Sequence, residues 1–118
     1  MRFVLLYRSG KPESNDLPSE QDVETMGKLM QEMVQAGVLL DAEGFEPSAD
    51  GARIRIDSGK FEVSHGPFGQ TRDLLDGYAI VKVNTKAEAI EWSKRFLTTV
   101  GEGESEIRRL RDAPESVS

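Results

Sequence analysis

Two short segments of this 118-residue chain are apolar without alternation. Phe3-Val4-Leu5-Leu6-Tyr7 and Tyr78-Ala79-Ile80-Val81 are rich in β-branched and aromatic residues and read as strands. A strand with apolar groups at successive positions is covered on both faces. The rest of the chain must therefore supply cover above and below one sheet.

Two helices are predicted to provide half of it. Ser19 as N-cap, with Asp22 three residues on, opens a helix at about 19–36 with apolar positions Val23, Met26, Met30, Met33 and Val34 and Gly37 at its end. Thr85 and Glu88 form a capping box, and Ala89, Ile90, Ser93, Phe96, Leu97 and Val100 make the stripe of a second helix ended by Gly101 and Gly103. Between the helices, Val38 to Gly44 reads as a strand and Ser48-Ala49-Asp50-Gly51 as a turn. Arg53-Ile54-Arg55-Ile56 and Phe61-Glu62-Val63 alternate around a Ser58-Gly59 turn, which sets Ile56 opposite Phe61, Arg55 opposite Glu62 and Ile54 opposite Val63. Ser64 to Asp73 reads as a loop and Ser105 to Leu110 as a last strand.

Strand, helix, strand, hairpin, strand, helix, strand describes an α+β, ferredoxin-like domain over residues 1–111, with 112–118 as a flexible tail and both helices on one face of an antiparallel sheet. The other face then exposes large side chains, each forfeiting about 1.5–3 kcal/mol in water. A homodimer is expected to cover it, burying at least about 800 Å² per partner.

Composition narrows the function. With 21 acidic and 15 basic residues and a formal charge of −6, general nucleic-acid binding is disfavoured. The absence of cysteine removes disulfides, thiolate metal sites and thiol nucleophiles, and a single histidine argues against a dedicated transition-metal site, so no metal and no cofactor is expected. The longest apolar run falls short of the roughly 20 residues that span a bilayer, so no membrane association is expected and the location is read as cytoplasmic.

The candidate chemistry centres on His65, the one side chain with an ordinary pKa near 6.5. Asp73 or Glu43 would orient its ring for acid–base work, while Arg72 or Arg53 would hold an anion and Phe68 would anchor the loop or the substrate. The blander readings are a backbone-bonded loop histidine, solvated carboxylates, an Arg–Glu surface pair, and a methionine stripe that fills the core.

Met33 to Leu39, Glu43-Gly44-Phe45-Glu46-Pro47-Ser48, His65-Gly66-Pro67-Phe68 through Asp73, Gly77-Tyr78 and Ala89-Ile90-Glu91-Trp92 together resemble DGPF-domain proteins of the YCII-related superfamily. That resemblance implies a dimeric α/β barrel, bacterial origin and, in some relatives, a link to extracytoplasmic-function sigma factors. It also implies a His–Asp dyad with its histidine on the first helix, but residues 19–36 contain none, so that dyad does not transfer. His65 stands where the motif usually has aspartate, and Gln70 where it has glutamate. Two functions remain: a noncatalytic ligand-binding or regulatory dimer, with a small anionic or polar ligand or a regulatory protein as partner, and a cofactor-free acid–base enzyme acting near His65. The missing dyad favours the first.

Overall fold

The computed structural model describes residues 1–69 and 73–112. In chain order it forms β1 (Arg2–Arg8), α1 (Glu20–Gln35), β2 (Leu39–Gly44), β3 (Ala52–Asp57), β4 (Lys60–His65), β5 (Gly77–Lys82), α2 (Lys86–Val100) and β6 (Glu104–Arg109), with a 3-10 turn at Ser48–Asp50. The tail expected after residue 111 lies, from residue 113 on, outside the described residues, as does Arg72.

The helices start where their caps dictate. The Ser19 hydroxyl accepts the Asp22 N–H at 3.1 Å, and α1 closes in a Schellman motif in which the N–H groups of Gly37 and Val38 donate to the carbonyls of Val34 and Met33. Thr85 accepts the Glu88 N–H at 3.2 Å, while the Glu88 carboxylate accepts from Asn84 rather than from the cap residue itself.

The strands pair antiparallel in the order β2-β5-β1-β6, compatible with a ferredoxin-like arrangement. Both helices pack on one face of this sheet. Phe3, Leu5 and Val81 meet Leu29 and Met33 of α1 and Ala89 of α2 in the core, and the Glu32–Arg95 ion pair joins the helices outside it. The α1 stripe differs from the expected one. Leu29 is buried, whereas Val23 and Val34 are 57% and 60% exposed. At 3.6 residues per turn both valines sit roughly 80–100° around the axis from Met33, on the helix flank.

The second face carries Val4, Leu6, Tyr78 and Ile80, all partly buried. Registers align Asp41, Ile80, Val4 and Arg108 in one row across the sheet and Glu43, Tyr78, Leu6 and Glu106 in the next. Among the described residues neither helix packs on this face.

β3 and β4 form a separate two-stranded sheet in the expected register, with Ile56 opposite Phe61, Arg55 opposite Glu62 and Ile54 opposite Val63. The loop expected from Ser64 starts later: Ser64 and His65 belong to β4, because Gly66 N–H still bonds the Gly51 carbonyl at 2.9 Å and prolongs the pairing. Among the described residues no helix is long and apolar enough to cross a membrane.

Candidate functional site

A cavity of about 320 Å³ lies between the sheet and the helices. Leu5 and Ala79 form its floor, and Met26, Met30 and Met33 of α1 face Trp92 and Phe96 of α2 across it. The methionines expected to fill the core thus divide: Met33 is buried, while Met26 and Met30 stay partly open to this space. Thioether and aromatic walls adapt to an apolar guest.

The polar groups gather where β1, β2 and β5 end. Tyr7, Asp76 and Ser105 line that side of the cavity, and Glu43 and Tyr78 border it from strand positions whose side chains fall on the other sheet face. Tyr7 is held edge-on against Phe96, ring centres 5.0 Å apart, and its hydroxyl donates to the Glu102 carbonyl at 3.0 Å. Burial, then the negative charges of Asp76 and Glu102, raise the Tyr7 phenol above its ordinary pKa. Asp76 is fixed through its main chain: its N–H donates to the Tyr7 carbonyl at 2.7 Å and its carbonyl accepts from Phe45 at 2.8 Å. One oxygen of its carboxylate accepts the Ser9 N–H at 2.7 Å. Tyr78 donates to Asp41 at 2.7 Å, and this hydrogen bond is the main cause of its own raised pKa. Among the described residues the lining includes the carboxylate of Asp76 and no lysine, arginine or histidine.

A second cleft, of about 270 Å³, forms around the His-Gly-Pro-Phe motif and is lined by Glu13, Glu46, Ser48, Arg53, Phe68 and Asp73 among others. The Arg53 guanidinium stacks on the Phe68 ring. Glu13, from the loop after β1, accepts both the N–H and the hydroxyl of Ser48, at 2.7 and 2.8 Å, and the Ser48 oxygen accepts the Phe68 N–H at 3.1 Å. The motif's glycine is sterically required, since a Cβ on Gly66 would stand 1.7 Å from the Ser48 carbonyl oxygen.

The structure brings Arg53, Phe68 and Asp73 to one cleft and places Glu43 at the other cavity. His65 is among the lining residues of neither; it pairs with Ala52 at the root of the hairpin. Tyr7 and Asp76 escaped sequence reasoning as site residues. Strand parity offered a signal for Tyr7, which shares the inward face of β1 with Phe3 and Leu5 yet ends in a hydroxyl.

The YCII-related domain model matches residues 1–113. The chain belongs to the YCII-related family. No significant match is found among curated proteins. In this YCII-related domain the cavity and the motif cleft flank the same junction, where β2 gives way to Phe45 and β5 begins after Asp76.

Proposed function

We propose that this YCII-related chain is a noncatalytic binding protein that takes a small, largely apolar ligand with a cationic or hydroxyl end into the cavity between sheet and helices. The observation that carries this reading is the contrast between the wall and the rim. Methionine and aromatic groups offer burial, and Asp76 provides the charge that meets the polar end. Acid–base turnover at His65 has less support, because His65, Asp73 and Glu43 are not gathered in one cavity. Among the described residues lining the two cavities the cation is Arg53, beside three carboxylates, which gives a small anionic ligand less support.

The test is ligand-observed NMR with small aromatic amines and alcohols against matched carboxylates. Amines and alcohols are expected to bind wild type and to be displaced from Met30→Trp, which fills the space. Preferential binding of carboxylates, or catalytic conversion of a bound amine or alcohol, overturns the proposal.

The working unit is a homodimer closed through the second sheet face as a two-sheet barrel. Asp41 and Glu43 make the β2 edge acidic, whereas Arg8 and Arg108 share the single carboxylate of Glu106 at the β6 edge. A twofold axis parallel to the strands lays each acidic edge over the other copy's basic edge and covers Val4, Leu6 and Ile80. Ile80→Glu is expected to give a monomer by light scattering, and an unchanged dimer refutes this arrangement. A bacterial cytoplasmic setting suits a chain that needs no oxidising compartment. A regulatory protein docking on the dimer fits the same noncatalytic role.

A further inference from the structure

The hairpin β3–β4 has no core of its own. Each of its strand residues is exposed, including Ile54 at 69%, Ile56 at 62%, Phe61 at 71% and Val63 at 53%. The register puts these four side chains on one face, with Ala52 and His65 at its root, and sets Arg53, Arg55 and Glu62 on the other. An isolated two-stranded hairpin is marginally stable in water, and a one-sided apolar face on such a hairpin is a face made to be covered.

We propose that this hairpin is an arm whose apolar face docks on a second copy of the same chain, each copy giving one arm and receiving one. Area supports this occupant. The four side chains expose on the order of 500 Å², the size at which a surface patch is commonly functional. Two arms with the surfaces they cover bury on the order of 2,000 Å², an area in the range of specific interfaces and additional to the barrel face. Charge supports it as well. The hairpin holds Arg53, Arg55 and Lys60 against Asp57 and Glu62, a net positive element, while the rest of the chain is more acidic than the −6 of the whole. An arm therefore approaches the remainder of another copy under attraction. Reciprocal exchange closes the assembly at two copies, because each donated face finds one receiving surface.

The arm shares with the barrel reading only the premise that the chain self-associates, and it uses different residues. The test is sedimentation equilibrium of the full chain across a wide concentration range, with wild type, the double variant Ile56→Ser/Phe61→Ser, and Ser64→Ala on the opposite hairpin face. The double variant removes side chains that are mostly in solvent, so the monomer fold is retained, which circular dichroism checks. Its dimer dissociation constant is expected to rise at least about 100-fold, with Ser64→Ala within threefold of wild type. In wild type, hydrogen exchange of the β3–β4 amides is expected to slow as the chain dimerises. A double variant that dimerises like wild type, or hairpin exchange independent of concentration, overturns the arm and leaves the barrel standing. A wild-type chain that stays monomeric overturns both, and one that is monomeric yet sediments with lipid vesicles through Phe61 assigns the face to a lipid surface instead.

Discussion

The guanidinium carbon of Arg53 lies 4.0 Å from the centre of the Phe68 ring. This contact fastens the hairpin to the motif loop, since Arg53 belongs to β3 and Phe68 follows the cis Gly66–Pro67 bond. A cation over an aromatic face at a solvent-accessible site contributes about 0.5–1 kcal/mol. A double-mutant cycle of Arg53→Met and Phe68→Leu, followed by urea unfolding, is expected to give a coupling of that size. Strictly additive effects would show that the stack contributes nothing.

Two glycines should respond oppositely to alanine. On Gly66 a Cβ meets the Ser48 carbonyl at 1.7 Å, so the backbone between Ser48 and the hairpin root must move. Gly66→Ala is expected to cost about 1–3 kcal/mol or more, as overpacking does. Gly27, inside α1, has open space beside it, with nothing beyond its chain neighbours and its own helix backbone within 4 Å of the point a methyl group would occupy. Gly27→Ala is expected to stabilise by about 0.8–1 kcal/mol through helix propensity alone. Equal shifts in the two unfolding midpoints would refute the steric account.

The alkaline limb of stability should belong to the tyrosines. Tyr7 and Tyr78 are the two tyrosines of the chain, and both phenols are raised, the first chiefly by burial and the second chiefly by its bond to Asp41. A raised folded pKa means that the fold holds the proton longer than the unfolded chain does. That contribution is complete below about pH 10, the ordinary phenol value, and is lost as the pH rises through the folded value. Near-ultraviolet titration is expected to show both phenols ionising later than free tyrosine, and Tyr7→Phe to flatten the alkaline fall in stability. Ionisation at the ordinary midpoint speaks against these environments.

Met33, 2% exposed, is the α1 residue packed most deeply in the core. Met33→Ala is expected to cost about 2–5 kcal/mol in chemical denaturation. Met30→Ala, at the partly open cavity wall, should cost clearly less, because the space beside it already exists. Equal losses would argue against an open cavity.

What the sequence revealed follows from periodicity. The hairpin register was legible to the residue because a period of two leaves one registration in which Ile56, Phe61, Ile54 and Val63 share a face. The two caps were legible because Ser19 and Thr85 act within three residues. The phase of α1 was less so: Val23 and Val34 satisfy helical spacing as well as Leu29 does, and only the position of the sheet decides between them. The site was the least legible part. Tyr7 and Asp76 meet through strand pairing and the Asp76–Tyr7 backbone bond, which no local spacing encodes. His65 drew attention as the lone histidine, but its place was set by two further residues of pairing at the base of β4.

Gly44 and Gly77 lie directly across from each other on the β2–β5 ladder. The described residues of 45–76, with the motif cleft and the hairpin, therefore form a detour that leaves the ladder at one glycine and rejoins it at the other. It is tied besides to β1 and the loop after it through Asp76 and Ser48. A splice of a few residues between those two glycines would keep the order of the four-stranded ladder while discarding everything on the detour. The chain thus separates what it needs in order to hold its shape from much of what it shows to others, and lineages could lengthen, trim or recode the second without renegotiating the first.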